Sequence, residues 1–492
     1  MNKGDKGLSA WQLAMMALGT VIGGSFFLGS AVAVKAAGPA VLISYLLAGG
    51  IVFVILYALS EMTVADAAPG SFRTFAEREF GPAIGFVVGW VYWTGLVLAM
   101  SSEATAVSIF LKNWFPSLSI AVMGGLIIIG VTLLNLLGAD QLSKLESGLA
   151  IIKLIAIVGF VVVGLAVIAG AIPGSGSIGA GEVLREPLFP SGLGGIAGSM
   201  LIVMFTYAGF EIIGLAASEA RNPHTTIPQA IRYTVFGLLG LYVTSILVLL
   251  ALIPTAGLVS DESPLVAALT RWGLGWAGSI MNIVLVTAIL STMLAAMFGL
   301  GRMIRSLADE GHAPAWIKDK GDIPYRGIIF SGLAMLVGLA FGFLLPQQVY
   351  LFLVSSGGFA LLSAYVIILA THYQYRKSCG CPPKGKCQLP GYPYTSWLAL
   401  AGSLAIIVSM PLIPGQGSGL LAGIILIAFF TGLYFVKSRY QAKGKPERQA
   451  ERTVQGMEMQ FEASEELLSK QPNVSADQQP KDDSKGGQKP SN

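Results

Sequence analysis

The chain has 492 residues, of which 54% are hydrophobic and only 12% are charged. Soluble domains carry about 25% charged residues, so this composition leaves too little polar surface for a water-soluble protein. The formal net charge of +4 is small and gives no reason to expect a nucleic-acid partner. The composition indicates an all-α polytopic membrane protein, whose partners include the lipid bilayer.

A membrane-spanning helix needs about 20 mostly apolar residues. The sequence offers twelve such runs, at 10–35, 39–62, 82–111, 119–139, 148–171, 194–217, 233–253, 276–301, 327–345, 349–371, 396–413 and 418–436. The first run lacks a clear cleavage site, so we expect a retained helix rather than a signal peptide.

The distribution of Lys and Arg predicts the orientation of these spans. If the N-terminus lies inside, the interior segments before the tail hold sixteen Lys and Arg residues, and the exterior loops hold four. The four exterior ones are Lys35, Lys112, Arg185 and Arg271. We therefore expect a multi-pass protein of the cytoplasmic membrane with both termini in the cytoplasm.

The regions outside the spans are short, apart from the C-terminus. Residues 1–7 form a cytoplasmic N-terminus, residues 372–395 a cytoplasmic loop, and residues 437–492 a polar tail. The tail has no apolar face long enough for a core, so we expect it to be disordered, with a surface helix over 447–469 as one alternative.

Three cysteines lie close together in the loop 372–395: Cys379, Cys381 and Cys387. Metal sites usually supply four ligands, and the nearest histidine, His372, lies outside the cysteine-rich stretch. Reduced thiols in a cytosolic turn are the favoured interpretation, and no metal or other cofactor is expected.

The first apolar run contains the stretch "GTVIGGSFFLGS", residues 19–30, with four glycines in it. Glycine in a helix interior costs roughly 0.5–1 kcal/mol relative to alanine. A second run, "MFTYAGFEIIGLAASEA" at 204–220, is interrupted by Gly209 and Glu211. These are the first and sixth spans, and paired interruptions at matching positions indicate a transporter with inverted repeats and a midplane site. Close helix packing is the alternative for either motif alone.

An interrupted helix frees backbone N–H groups at the start of one half and carbonyl groups at the end of the other. The N–H groups suit a carboxylate, and the carbonyls suit an ammonium group or a cation. One broken helix could therefore bind both ends of a zwitterionic amino acid.

Ionisable residues inside spans are costly and usually functional. Three are clear: Glu103 in the third span, Lys153 in the fifth and Glu211 in the sixth. Either residue type could carry a coupling proton, although Lys153 could instead snorkel to the cytoplasmic surface. Glu61 and Glu219 lie near cytoplasmic helix ends, where a solvated or capping role is as plausible as a functional one.

Several motifs resemble a known family. "ALGTVIGGSFFLGS", "AAGPA", "YALSEM", "GSFRTFAEREFGPAIGFVVGWVYW", "ASEARNPHTTIPQAI" and "TAILSTMLAAMFGLGRMIRSLADEGHAP" are similar to the amino-acid transporter family of bacterial amino-acid permeases. This family belongs to the amino acid–polyamine–organocation superfamily. The resemblance runs from about Leu8 to Val436. It implies a LeuT-like core of five plus five inverted helices over 8–371, with discontinuous helices 1 and 6, and two appended helices over 396–436.

The resemblance also implies roles for individual residues. The unwound first helix would hold the substrate carboxylate with Ile22, Gly23, Gly24 and Ser25. The sixth-helix break would take the α-amino group and cover the substrate with Phe205, Thr206, Tyr207 and Gly209. Lys153 would occupy the place of a sodium ion in sodium-driven relatives, and Glu103 and Glu211 match acidic positions, so these three are assigned to proton coupling.

The resemblance implies proton-coupled import of an amino acid. Ser25 stands where the family usually has glycine, and Ala208 and Phe210 replace a polar pair. The lost polarity favours a neutral amino acid as substrate. Two alternatives stay open: exchange of one amino acid or amine for another, and a non-transporting sensor on the permease scaffold. A membrane enzyme is the least favoured, because the sequence shows no nucleophile–base pair or nucleotide loop. The oligomeric state and the identity of the amino acid are left open.

Overall fold

A computed structural model describes residues 8–65, 71–172, 178–179, 181–215, 220–259, 262–319, 321, 323–344, 349–381 and 389–439. The chain divides into two units, Met1–Gly432 and Leu433–Asn492. In the second unit only residues 433–439 are described, and they are helical. The predicted tail helix at 447–469, Glu219 and Cys387 lie outside the described residues.

The structure is built from α-helices, numbered here α1 to α17. They are α1 Ala10–Val21, α2 Gly24–Phe27, α3 Gly29–Ala37, α4 Val41–Ala65, α5 Phe72–Phe80, α6 Pro82–Leu111, α7 Ile120–Asn135, α8 Ala139–Ile168, α9 Gly192–Thr206, α10 Ile212–Leu215, α11 Pro223–Leu252, α12 Pro264–Arg271, α13 Gly275–Asp309, α14 Tyr325–Leu344, α15 Val349–Cys379, α16 Tyr394–Ser409 and α17 Gly417–Arg439. Over the ranges given above, the only β-type pairing is a single bridge between Leu8 and Ala220.

Eight helical stretches among the described residues are long and apolar enough to cross a membrane, and four shorter apolar helices accompany them. The expected first span is split in the structure. Its first half is α1, and its second half, α3, runs through a single 3-10 turn at Gly38–Ala40 into α4. The backbone of Gly38 (φ +62°, ψ −146°) is not helical, so α3 and α4 are two helices joined by this turn. The structure confirms an all-helical membrane protein, and twelve spans remain a prediction.

Polar and apolar side chains are distributed as expected for a protein surrounded by lipid. Large apolar side chains on the outer faces of the helices are exposed, among them Ile155 at 66% and Leu126 at 60%. The ionisable side chains of Glu103, Lys153 and Glu211 are buried at 3%, 0% and 1% exposure. Charged groups in a bilayer face the protein interior because hydrocarbon cannot solvate them.

The start of α1 is fixed by local chemistry. Ser9 and Gln12 form a capping box, in which each side chain accepts a hydrogen bond from the backbone N–H of the other. Just before this cap, the carbonyl of Leu8 accepts a hydrogen bond from the N–H of Arg221 at 3.1 Å. The chain before α1 is thus tied to the segment that follows α10.

Candidate binding site at two interrupted helices

The first interruption lies between α1 and α2. The helix ends at Val21, and Ile22 (φ −76°, ψ 101°) and Gly23 (φ −138°, ψ −161°) are extended before α2 begins at Gly24. Extended backbone cannot continue the i to i−4 hydrogen bonds, so N–H and carbonyl groups on either side of these two residues lose their helical partners.

A carboxylate from α6 binds the freed N–H groups. Glu103 Oε2 accepts a hydrogen bond from Gly24 N at 2.6 Å, and Oε1 accepts one from Ser25 N at 3.2 Å. A Cβ atom added at Gly24 would lie 2.6 Å from Glu103 Oε2, so only glycine permits this approach. The Glu103 carboxylate therefore occupies the N–H groups of Gly24 and Ser25. The family resemblance predicts that these same groups bind the substrate carboxylate.

An ammonium group from α8 binds the freed carbonyl groups. Lys153 Nζ donates to Gly19 O at 2.5 Å, Ile22 O at 3.1 Å and Thr292 Oγ1 at 3.1 Å. Thr292 also donates to Ile22 O at 3.0 Å. Because Lys153 is fully buried and points at the break, snorkelling to the membrane surface is the wrong alternative for this residue.

The second interruption lies between α9 and α10. The helix ends at Thr206, and α10 begins only at Ile212. Gly209 has φ +102°, a conformation that side chains with a Cβ rarely adopt. Glu211 bridges this break, since its Oε2 accepts from Gly209 N at 2.9 Å and its Oε1 accepts from Tyr365 Oη at 2.5 Å.

The two interruptions lie side by side. A Cβ atom added at Gly209 would lie 3.4 Å from the carbonyl oxygen of Thr20, which precedes the first break. Glu103 and Lys153 each bind backbone groups at the first break, whereas Glu211 binds a backbone group at the second. Phe205 lines a small apolar pocket between the second break and α15, together with Ala208 and Tyr365.

Four further residues contact the breaks and were missed from the sequence: Tyr242, Thr292, Tyr350 and Tyr365. Tyr242 Oη donates to Thr206 O at 3.0 Å, and Tyr350 Oη donates to Gly24 O at 3.3 Å. These residues are uncharged, and a search for ionisable residues inside spans passes over them. The signal available in the sequence was a hydroxyl within an apolar run, which is common and therefore weak.

The structure corrects the interpretation of Glu61. Its side chain is fully buried rather than solvated. It accepts hydrogen bonds from His372 Nε2 at 2.7 Å, Arg376 Nη2 at 2.6 Å and the backbone N–H of Leu389 at 2.7 Å. Glu61 therefore joins α4 to the end of α15 and to the loop beyond it.

The cysteine loop also departs from expectation. Cys379 is a free thiol, but Cys381 is disulfide-bonded, so the prediction of reduced thiols is wrong for Cys381.

A cluster of side chains outside the two breaks has the donor atoms of a metal site. It consists of Glu77, Glu310 and His312. The buried guanidinium of Arg73 lies among them, donating to Glu77 Oε2 at 3.0 Å and to Glu310 Oε2. His312 Nε2 lies 3.3 Å from Glu77 Oε2. Since a cation already compensates both carboxylates, the cluster is best described as an ion-pair network that joins α5 to the end of α13.

Residues 12–449 match the family model described as "Amino acid permease". The chain belongs to the amino acid permease family. The permease is 33% identical over 448 residues to the uncharacterized amino acid permease YtnA of Bacillus subtilis (strain 168), covering 89% of this chain and 96% of that relative. It is 30% identical to the gamma-aminobutyric acid permease of the same organism, covering 90% and 97%. It is 31% identical to the aromatic amino acid transport protein AroP of Escherichia coli (strain K12), covering 89% and 96%.

The permease is therefore a membrane transport protein, as the sequence motifs indicated. The resemblance found from those motifs is confirmed over nearly the whole membrane portion.

Proposed function

We propose that the permease imports a neutral amino acid together with protons, by alternating access to a site at the two breaks. The observation that carries this proposal is the position of the Glu103 carboxylate on Gly24 N and Ser25 N. Main-chain N–H groups at a helix start are a general binding site for carboxylates. A substrate carboxylate needs the same two donors, so it has to displace Glu103.

Displacement of Glu103 from these N–H groups couples substrate binding to the uptake of a proton. A buried carboxylate that loses its hydrogen bonds costs several kcal/mol or more, and a proton from the outside removes that cost. Binding of the substrate and protonation of Glu103 then favour each other. Lys153 supports this arrangement by holding the carbonyl side of the same break while the N–H side changes partner.

The assignment of a neutral substrate rests on the second break. Phe210 is fully buried, and its ring lies 5.1 Å from the ring of Tyr365. The nearby Glu211 already has two hydrogen-bond donors, from Gly209 and Tyr365. Two of the relatives named above are, by name, a permease for gamma-aminobutyric acid and a transport protein for aromatic amino acids, and these substrates carry no net charge. This supports the same assignment.

Twelve spans and two cytoplasmic termini complete the proposal. Each predicted span overlaps a helix of the structure. With an even number of spans, both termini lie on one side, and the excess of Lys and Arg in the interior segments assigns that side to the cytoplasm. The first and sixth spans would rock against the remaining helices to open each side in turn.

Uptake by the purified permease in proteoliposomes tests the proposal. One radiolabelled amino acid is offered under an imposed inward proton gradient, with each of the twenty amino acids as competitor. We expect concentrative uptake that an uncoupler abolishes, with neutral amino acids as the best competitors. Uptake that survives the uncoupler but requires internal amino acid would instead indicate exchange, and binding without flux would indicate a sensor.

Gly23→Val tests the carboxylate part of the site. A Cβ atom at position 23 would lie 3.2 Å from both carboxylate oxygens of Glu103 and 3.2 Å from Thr292 Cγ2. The extended backbone of Gly23 is itself acceptable to valine, so the effect comes from contact rather than from backbone strain. We expect substrate affinity to fall at least about 100-fold, measured by equilibrium binding. Gly50→Val on α4 is the control, because a Cβ atom there meets open space; equal affinity in both variants would remove the proposed site.

A further inference from the structure

Tyr242 lies at the second break, where no role has yet been assigned to it. Its hydroxyl donates to Thr206 O at 3.0 Å. Thr206 is the last residue of α9, so its carbonyl is among those at the helix end that lack an intrahelical donor. Both residues are fully buried, and the tyrosine hydroxyl is the side-chain donor to this carbonyl.

The ring of Tyr242 belongs to a buried aromatic cluster with Phe26, Tyr45 and Tyr207. It stacks on Phe26 with centroids 4.3 Å apart and planes 17° apart, and it contacts Tyr207 edge to face at 5.3 Å. Phe26 lies on α2, directly after the N–H groups that hold Glu103. One side chain of α11 therefore contacts the carbonyl end of the second break and the helix that follows the first break.

Each freed group described above has a side-chain partner within the protein. Glu103 holds N–H groups of the first break, Lys153 holds its carbonyls, Glu211 holds an N–H of the second break, and Tyr242 holds the carbonyl of Thr206. Tyr242 is a neutral donor to the carbonyl at the end of α9, as Thr292 is to Ile22 O and Tyr350 is to Gly24 O at the first break. A neutral hydrogen bond is weaker than the one that a substrate ammonium group would make to the same oxygen.

We infer that Tyr242 is a substrate-site residue whose hydroxyl holds the Thr206 carbonyl until the substrate ammonium displaces it. This inference rests on the proposed function, because it requires an amino-acid substrate at the breaks. It assigns Tyr242 to the amino end of that substrate, opposite Glu103 at the carboxylate end.

Tyr242→Phe is expected to strengthen binding of the amino acid. Losing a hydrogen bond with a purely structural role would leave that affinity unchanged or lower it. The ring and its packing stay, but the Thr206 carbonyl is left unpaired in the empty site, and the substrate ammonium no longer has to displace a hydroxyl. We expect affinity for the amino acid to rise about fivefold, the equivalent of one ordinary hydrogen bond. A ligand without the α-amino group gains nothing from the free carbonyl.

The experiment measures inhibition constants in wild type, Tyr242→Phe and Tyr233→Phe. The probes are L-phenylalanine with 3-phenylpropionate, and L-alanine with propionate, where each acid lacks the amino group of its partner. Tyr233 is the matched control, because it lies on the same helix with its side chain 49% exposed on the outer surface. Thermal stability of each variant in detergent reports folding.

We expect Tyr242→Phe to bind the amino acids about fivefold more tightly and the two acids within twofold of wild type, while Tyr233→Phe matches wild type throughout. Unchanged or weaker amino-acid binding by folded Tyr242→Phe overturns the inference, as does an equal gain for the acids. Failure of the proposed function is a separate result, because wild type itself would then bind none of the twenty amino acids of the uptake panel.

Discussion

Glu103→Gln is expected to abolish accumulation driven by a proton gradient while leaving exchange of internal for external substrate intact. An inward gradient of two pH units supplies about 2.7 kcal/mol per proton, enough for roughly 100-fold accumulation by a one-proton carrier. Glutamine can still accept a hydrogen bond from Gly24 or Ser25, but it carries no proton in exchange for the substrate. The accumulation ratio of this variant should therefore fall to about one.

Proteoliposomes with a clamped membrane potential measure this ratio directly, and counterflow of labelled substrate measures exchange. Glu79→Gln is the matched control, because it makes the same chemical change on α5, away from both breaks. Accumulation by Glu103→Gln at the wild-type ratio would show that another group carries the proton.

Lys153→Met has the second largest expected effect. Three hydrogen bonds from the ammonium group are lost, and Gly19 O is left without this donor in a fully buried position. Each buried acceptor left unpaired costs about 1–3 kcal/mol. We expect concentrative uptake to disappear and the unfolding temperature in detergent to fall by several degrees.

Lys112→Met controls for the loss of a lysine, since Lys112 only donates to the backbone of the loop after α6. It should retain uptake and stability. If Lys153→Met kept wild-type concentrative uptake, Lys153 would have no part in coupling. If it lost stability while keeping that uptake, its role would be confined to holding the fold.

Much of the architecture follows from hydrophobic length and from glycine. The glycines at 23 and 24 indicated where the first helix breaks, and Gly209 with Glu211 indicated the second break. Both are local signals, because helix propensity and burial of charge depend on the residue itself. The three ionisable residues inside spans were found for the same reason.

The partners of those residues were harder to predict. Glu103 is 79 positions from Gly24 in the chain, and Lys153 is 134 positions from Gly19. Which main-chain group each one meets depends on how α6 and α8 pack against α1, and no local pattern encodes that packing. The hydroxyls of Thr292 and Tyr242 were missed because a neutral polar group inside a span is an ordinary occurrence. The buried position of Glu61 depends on His372 and Arg376, which are 311 and 315 positions away in the sequence.

The central claim is that substrate carboxylate and Glu103 compete for one pair of backbone N–H groups. Proton uptake on binding tests it most directly, with purified protein in weakly buffered detergent solution titrated with the transported amino acid. Wild type should take up close to one proton per substrate bound and bind more weakly as the pH rises, whereas Glu103→Gln should take up none and bind independently of pH. Equal proton uptake by both proteins, or none by wild type, would contradict the account.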